Sequence, residues 1–309
     1  MAITRIEAVT YGVEDLAACT RFFADAGLEP VHTDDRGALF RTPVNQFVEL
    51  RHSDDPSLSP AIHAGSGIRE IIWGVDGPEG LEVIRRELST DRPVTASADG
   101  ILHSRDDIGY AIGFKVAEVQ PPPESIRDYN GPARLDRVNR PLVAHGRPRP
   151  VRLIHVALDA PAADHERHNE FYLRRLRFKA VDDSRPVGVF MQCEGDLMHH
   201  NLLLVHRSDG LGTNHMAMEM SDFDAVIEAG NHMTEKGWKE SRRLGRHTLG
   251  SNVFRFFLAP CGGRIEFAYD MDRMDKNWKT RVWEKAPPHH LWMVKFPGDA
   301  GQRSGGGGD

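Results

Sequence analysis

The sequence predicts an α+β protein of two tandem domains, each containing a βαβββ unit that forms a curved mixed sheet around a pocket. Three observations predict this class. The order of strand and helix patterns before residue 120 recurs after residue 150. Residues 121–150, between the two copies, are rich in Pro and Arg and lack apolar periodicity, as is typical of a linker. A single βαβββ unit cannot bury a sheet face alone, so we expect the units to pair.

The first copy begins with residues 5–13, whose alternating apolar pattern predicts a strand, and continues into an amphipathic helix that ends at Gly27. The apolar face of this helix is formed by Leu16, Cys19, Phe22 and Phe23. The later strand and helix patterns of this copy lie at 45–55, 68–88 and 108–119. The copy therefore contains a strand, a helix and about three further strands.

The second copy repeats this order. It opens with a predicted strand at 151–160, followed by a helix whose inward side chains are Phe171 and Leu176. Its later elements match those of the first copy and lie at 199–209, 214–233 and 262–272. The sequence thus predicts two domains, a linker and a flexible Gly-rich tail, with bounds at 1–120, 151–300, 121–150 and 301–309.

The composition excludes several classes of protein. With 39 Lys and Arg against 45 Asp and Glu, the net charge is −6, which argues against a nucleic-acid-binding surface. No apolar run approaches the roughly 18 residues needed to span a membrane, and the N-terminus lacks the apolar core of an export signal. Cys19, Cys193 and Cys261 are widely spaced and suit a reducing compartment. We therefore expect a cytoplasmic protein with neither a nucleic-acid nor a membrane partner.

A comparison of the two copies isolates the candidate chemistry. Packing alone is expected to preserve similar residues at corresponding positions. At three positions the two copies carry different kinds of side chain. His155 corresponds to Val9 (within one residue), His215 to about Glu70, and Glu266 to Gly113. Metal-competent side chains therefore occur together in the second copy only.

Two neutral imidazoles and a carboxylate on separate strands can occupy one face of an octahedral ion and leave the other face open. This is the ligand set of non-haem Fe(II) oxygenases. A single histidine in a strand is more often structural, but three metal-competent residues confined to one copy favour a metal site. The sequence therefore predicts a metal in the C-terminal domain, held by His155, His215 and Glu266, and none in the N-terminal domain.

Three motifs surround these residues: LIHVALD, TNHMAMEM and GRHTLGSNVFRFFLAPCGGRIEFAYD. In these motifs the chain resembles the two-domain type I extradiol catechol dioxygenases of the vicinal oxygen chelate (glyoxalase-like) superfamily, over roughly residues 3–295. The resemblance implies Fe(II) as cofactor, with Mn(II) less expected, and a catechol-type aromatic diol and O₂ as substrates. It also implies ring opening next to the diol, and a homo-oligomer.

The resemblance also implies two catalytic histidines beside the metal. Their family spacing, fifteen residues before the second ligand and nineteen before the carboxylate ligand, gives His200 and His247. His200 is expected to stabilise anionic oxygen and donate a proton, and His247 to hydrogen-bond a substrate oxygen. His199 is adjacent to His200, but neighbouring strand residues point to opposite faces, and the spacing favours His200.

One position departs from the family pattern. The family has a tyrosine ten residues before its Glu ligand, where this chain has Phe256, followed by Phe257. Neither side chain can donate a hydrogen bond, and we do not expect Tyr269 to substitute. Either the site works without this helper, or the substrate or the reaction differs.

Basic residues and further histidines lie near these motifs. Arg242, Arg243 and Arg246 either bind an acidic substituent of the substrate or form a solvated basic face; we take Arg242 and Arg246 as candidate substrate-binding residues, with His247 and Phe256. Other histidines are expected to have no ligand role, namely His165, His168, His232, His289 and His290. Residues 278–292 form either a lid or the last packed element.

Two other functions remain open at this stage. Another metal-dependent activity of the same superfamily, an isomerisation or a different oxygenation, is kept open by Phe256. A small-molecule-binding protein of the same fold is disfavoured, because such proteins usually lack a complete ligand set. Metal content and anaerobic catechol binding distinguish these classes.

Overall fold

The computed structural model describes residues 2–123, 128–142, 146–208 and 210–296. The predicted tail at 301–309 lies outside the described residues. Within them the chain forms two mixed β-sheets, of 8 and 10 strands, with few helices. The α+β class with tandem glyoxalase-like sheets is therefore confirmed, whereas the exact domain bounds stay a prediction.

The first sheet is built from two βαβββ units in succession. Its elements are β1 (Ile3–Val13), α1 (Leu16–Asp25), β2 (Glu29–Thr33), β3 (Gly37–Arg41), β4 (Phe47–His52), β5 (Gly67–Val75), α2 (Pro78–Leu88), β6 (Thr95–Ala96), β7 (Leu102–Arg105) and β8 (Ala111–Val116). The strand order is β2-β3-β4-β1-β5-β8-β7-β6. Strand β1 runs parallel to β4 and antiparallel to β5, and β5 runs parallel to β8.

The second sheet repeats this topology and adds a strand at each edge. Its elements are β9 (Arg152–Pro161), α3 (His165–Glu170), a π-helical turn (Phe171–Arg175), β10 (Lys179–Ser184), β11 (Gly188–Gln192), β12 (Leu202–Arg207), β13 (Gly212–Glu219), α4 (Phe223–Glu235), β14 (Glu240–His247), β15 (Val253–Leu258), β16 (Arg264–Tyr269), β17 (Arg281–Trp283) and β18 (His290–Met293). The strand order is β17-β10-β11-β12-β9-β13-β16-β15-β14-β18.

The two added strands require the second sheet to curve strongly. Strand β17 pairs with β10 at one edge, and β18 pairs with β14 at the other. Laid flat, the edges of ten strands would lie roughly 43 Å apart. The seven residue steps from Trp283 to His290 span at most about 25 Å. The sheet therefore wraps around its concave face, and residues 278–292 supply its two edge strands.

Helix α1 illustrates how the sequence sets the local structure. The side chain of Asp15 accepts a hydrogen bond from the Ala18 N–H, which satisfies an otherwise unpaired donor of the first turn. The helix ends before Gly27, which has a φ of 95°. A Cβ at Gly27 would lie 2.8 Å from the Pro148 carbonyl oxygen, so both the backbone angle and the space require glycine here.

The aromatic face of α1 also joins the two sheets. Phe22 is fully buried, and its ring lies 4.9 Å from that of Trp238, which follows α4. Elsewhere the amide of Gln46 donates to the Leu153 carbonyl (3.0 Å) and its oxygen accepts from the Leu153 N–H (2.7 Å). These contacts join the first sheet to the second, as expected for units that cannot bury a sheet face alone.

The strand registers correct one detail of the comparison between copies. Each sheet has a bulge, at Arg69 in β5 and at Asn214 in β13, where the register of the central pair shifts. Aligning these bulges places His215 on Glu70, Glu266 on Gly113 and His155 on Ala8. Ala8 is therefore the partner of His155, one residue from Val9 and within the one-residue uncertainty of the sequence comparison.

Two predictions from composition are also addressed by the structure. The three cysteines are buried and form no disulfide. In the described part of the chain, no helix combines the length and apolar character needed to cross a bilayer.

Asp106 is a buried carboxyl group at the contact between the two sheets. Tyr172 donates its hydroxyl hydrogen to Asp106 Oδ2 (2.8 Å), and the backbone N–H groups of Ile108, Gly109 and Tyr110 donate to Oδ1. Burial is the largest influence and raises the pKa of Asp106 to about 6, although these hydrogen bonds oppose it. The ionised form is therefore disfavoured in the folded protein.

We expect Asp106→Asn to stabilise the protein at neutral pH. Because folding raises this pKa, the stability contributed by the protonated carboxyl is fully present below about pH 3.8 and is lost as the pH rises through about 6. The loss amounts to about 3 kcal/mol. An amide cannot ionise, so the gain from the substitution should grow between these pH values. Urea unfolding at several pH values checks this, and a pH-independent difference between variant and wild type would contradict it.

Candidate metal centre

Three side chains meet on the concave face of the second sheet. His155, His215 and Glu266 come from the adjacent strands β9, β13 and β16. Ala217 of the middle strand lies in register with both His155 and Glu266. His215 is two residues before Ala217 and so lies on the same face. Because Ala217 is small, the three longer side chains can converge above it.

The donor atoms of these residues fit a metal ion. His155 Nε2 lies 3.0 Å from His215 Nε2 and 3.1 Å from Glu266 Oε2, and His215 Nε2 lies 3.6 Å from Glu266 Oε2. Ligands at right angles and about 2.1 Å from an ion lie about 3 Å apart. The spacing therefore suits three ligands on one face of an octahedral ion, and His155, His215 and Glu266 could hold a divalent metal.

The protonation states of the ligands suit metal binding. Burial lowers the pKa of His215 well below its usual range, so its imidazole is neutral and offers a lone pair. Burial alone would raise the pKa of Glu266, but hydrogen bonds from His155 and His247 outweigh it and the pKa is lowered. The site thus combines an ionised carboxylate on Glu266 with a neutral nitrogen donor on His215, the forms that bind metals.

Two asparagines orient the ligands, and sequence reasoning missed both. Asn214 Oδ1 lies 2.8 Å from His215 Nδ1, which leaves Nε2 of that ring for the metal, and Asn214 Nδ2 donates to Asp159. Asn252 Nδ2 donates to Glu266 Oε1 (2.8 Å), which leaves Oε2 facing the two ligand nitrogens. Their only sequence signal is their place within the TNH and GRHTLGSN segments.

The structure brings the two predicted catalytic histidines to this centre. The ring of His200 lies 4.2 Å from that of His155. His247 Nε2 lies 3.4 Å from Glu266 Oε1, and the ring stacks on Phe254 at 4.1 Å. Burial lowers the pKa of His200 well below its usual range. The neighbouring His199 turns away from the ligands and lies 2.7 Å from an oxygen of Asp182 on β10.

Phe256 forms an apolar wall beside the ligands. It is buried and lies opposite Glu266 in the register of β15 and β16. Its ring lies 5.3 Å from that of His215 and 5.9 Å from that of His247. Tyr269 lies three residues farther along β16, opposite Val253. Phe256 therefore offers the ligands a phenyl ring, and its match to the family's tyrosine stays a prediction.

The three arginines before His247 have different surroundings. Arg242 lies 2.7 Å from His289 Nε2, and its guanidinium lies 5.3 Å from the Phe256 ring. Arg246 instead pairs with Asp270 at 2.9 Å. Arg243 lies over the ring of Phe296, 4.4 Å from its centre. Arg242 thus touches a side chain that lines the metal centre, whereas Asp270 already engages Arg246.

His289 is a third residue whose place near the site the sequence did not indicate. It was expected to have no ligand role, and it is not among the three convergent donors. Its ring lies 4.8 Å from that of His247, and burial lowers its pKa to about 2. It is therefore a neutral hydrogen-bond partner of Arg242, delivered to the site by the segment before β18.

Comparison with known families decides what kind of protein this is. Residues 111–267, about half of the chain, match the family described as the Glyoxalase/Bleomycin resistance protein/Dioxygenase superfamily. This chain belongs to that superfamily. Membership confirms the superfamily that the motifs indicated from sequence.

Individual members of the superfamily extend this result. Metapyrocatechase 2 of Cupriavidus necator is 34% identical over 123 residues, which cover 40% of this chain and 38% of that protein. The Mn(II)-bound glyoxalase of Novosphingobium aromaticivorans is 23% identical, with a TM-score of 0.71 over 93% of this chain and 89% of that one. BphC, a halotolerant catechol dioxygenase, is 17% identical, with a TM-score of 0.71 over 95% and 94%. The curated match thus spans well under half of Metapyrocatechase 2, and the two structural matches establish the fold alone.

Within the superfamily, a glyoxalase and a catechol dioxygenase resemble this chain equally well in fold. The fold therefore does not select the reaction. The side chains around the three ligands have to do so.

Proposed function

We propose that this protein is an extradiol dioxygenase, which uses a non-haem Fe(II) ion and O₂ to open a catechol-type ring next to its diol. The observation that carries the proposal is the convergence of His155, His215 and Glu266 with His200 and His247 at one site. The identity to Metapyrocatechase 2 supports it. Mn(II) is the less expected occupant.

The proposed chemistry divides between the metal and the chain. Bound Fe(II) supplies Lewis acidity toward the two substrate oxygens and electrons toward O₂. His247, at the edge of the site, is suited to donate a hydrogen bond to a substrate oxygen. His200, buried and neutral, is suited to take up and return a proton. Phe254 and Phe256 exclude water from the ring of the substrate.

The experiment that tests the proposal is a turnover assay with defined metals. Protein loaded anaerobically with Fe(II) is mixed with a panel of catechols in air, and visible absorbance and O₂ consumption are followed. We expect a yellow semialdehyde-type product and one O₂ consumed per catechol. Metal-dependent catechol binding without O₂ consumption would contradict the dioxygenase and favour a binding protein.

A second candidate function is another metal-dependent reaction of the superfamily, and Phe256 is the observation that favours it. The missing phenol removes a hydrogen-bond donor from beside the ligands. We expect Phe256→Tyr to change kcat or the ratio of ring-opened products, because its hydroxyl would lie beside bound substrate. Product analysis by liquid chromatography checks this. An unchanged rate and product ratio would contradict a substrate-facing place for this residue.

We further propose that Arg242 binds an acidic substituent of the substrate. Its half-buried guanidinium lies 5.3 Å from the Phe256 ring, and burial lowers its pKa. Arg242→Ala is expected to raise KM for a carboxylated catechol about 10- to 100-fold, since a charge-assisted hydrogen bond is lost. KM for unsubstituted catechol should hardly change. Arg246→Ala is the matched control, because Asp270 already pairs with that side chain. If Arg242→Ala raised KM equally for both catechols, the proposal would be contradicted.

The assembly and compartment remain predictions. We expect a homo-oligomer in the cytoplasm. Sedimentation velocity of the full chain checks the first, and a monomer at micromolar concentration would contradict it.

A further inference from the structure

A line of buried polar side chains leads from His200 away from the metal centre. His200 Nδ1 lies 3.0 Å from His199 Nδ1, and His199 Nε2 lies 2.7 Å from Asp182 Oδ2. His199 and Asp182 have no exposed surface, and His200 has 4%. The direction of each hydrogen bond in this line follows from the protonation of Asp182, the residue farthest from the metal centre.

Asp182 is ionised and can only accept. Arg281 of β17 donates to both of its oxygens, from Nε at 2.7 Å and from Nη2 at 2.6 Å, and Trp283 Nε1 donates at 2.8 Å. Burial would raise the pKa of Asp182, but hydrogen bonds from His199, Arg281 and Trp283 outweigh it and lower the pKa to about 2. A carboxylate has no hydrogen to give, so His199 Nε2 must carry one.

The hydrogen between the two imidazoles follows from charge. Arg281 already balances the charge of Asp182, so a second positive charge on the fully buried His199 would be uncompensated. His199 is therefore neutral, with its hydrogen on Nε2, and its Nδ1 accepts. His200 Nδ1 must then be the donor, which leaves the lone pair of His200 on Nε2.

We propose that Asp182 and His199 are positioning residues that hold His200 with its hydrogen on Nδ1 and its lone pair on Nε2, and that β17 locks them through Arg281 and Trp283. The tautomer does not rest on the proposed function, whereas its effect on turnover does.

The tautomer is measured directly in protein that needs no iron. Long-range ¹H–¹⁵N correlation spectra of ¹⁵N-histidine-labelled, Zn(II)-loaded protein report which ring nitrogen carries hydrogen, and His200→Gln identifies the His200 signals. We expect Nδ1–H for wild-type His200. A hydrogen on Nε2, or a doubly protonated His199, would overturn the inference even if the enzyme is a dioxygenase.

Substitution of Asp182 should reverse the direction of the hydrogen bonds between Asp182, His199 and His200. The amide of Asp182→Asn donates to His199 Nε2, which moves the hydrogen of His199 to Nδ1 and that of His200 to Nε2. We expect kcat to fall about 10- to 100-fold, with KM for catechol and bound iron unchanged, as for loss of a group that orients a catalytic residue. His199→Phe should lose a similar factor.

The matched control lies on the same edge of the sheet. Glu284 follows β17 and pairs with Arg185 at the surface, where both side chains are exposed. Glu284→Ala should leave kcat and the His200 tautomer unchanged. If Glu284→Ala lowered kcat as much as Asp182→Asn, the edge strand would matter only for packing, and the positioning role would be overturned. Absence of all turnover in wild type would instead refute the proposed function and leave the tautomer result standing.

Discussion

Replacing His155, His215 or Glu266 with Ala is expected to abolish both iron retention and turnover. Each residue supplies one of three converging donor atoms, and two remaining protein ligands bind Fe(II) too weakly to survive gel filtration. The fold should persist, because the metal closes no hydrophobic core. Iron content after anaerobic loading, with circular dichroism as the measure of folding, checks each variant.

The first sheet provides the control for this experiment. Glu70 occupies the position that corresponds to His215, but it pairs with His103 at 2.8 Å instead of joining a ligand set. Glu70→Ala should therefore retain full iron occupancy. Full occupancy in a ligand variant would remove that residue from the set, and iron bound to the first sheet would refute the comparison of copies.

His200→Phe is expected to preserve iron and substrate binding while slowing the O₂-dependent step about 10²- to 10⁴-fold. The side chain lies beside His155 but is not one of the three convergent donors. Its imidazole acts on charge that develops only after O₂ has entered, so ground-state affinity should hardly change. Anaerobic catechol titration followed by stopped-flow mixing with O₂ separates the two steps.

A histidine outside the site serves as the control for this variant. The ring of His165 on α3 lies 4.4 Å from that of His206, and His165→Phe should leave the rate unchanged. A full rate in His200→Phe, with metal intact, would count against ring cleavage. It would favour the other metal-dependent reactions of the superfamily.

Because the sequence is duplicated, the two sheets and the strands that carry the ligands could be predicted from it. Alternation at 5–13 and 151–160 predicts the central strands, and β1 and β9 lie there. Because a packed strand needs no histidine or glutamate on its concave face, residues present in one copy only pointed to the site. The fold class was predictable for this reason.

Other features depend on bulges, loops and edge-strand pairing, which leave no periodic signal in the sequence. The register that aligns His155 with Ala8 includes matched bulges at Arg69 and Asn214, and neither bulge has a periodic signal in the sequence. The segment before β18 brings His289 next to Arg242 because β18 pairs with β14 at the edge of the sheet. The bond from His199 to Asp182 joins the loop between β11 and β12 to strand β10, and no spacing rule links the two residues.

The most direct test of the central claim is the fate of the two oxygen atoms of ¹⁸O₂. Fe(II)-loaded protein turns over a catechol under ¹⁸O₂, and the ring-opened product is trapped at once and analysed by mass spectrometry. An extradiol dioxygenase breaks the bond between one hydroxyl-bearing carbon and its ring neighbour outside the diol, and it adds one oxygen atom to each of these carbons. The predicted product therefore carries two ¹⁸O atoms. A product with one ¹⁸O or none, or cleavage between the two hydroxyl-bearing carbons, would contradict the proposed function.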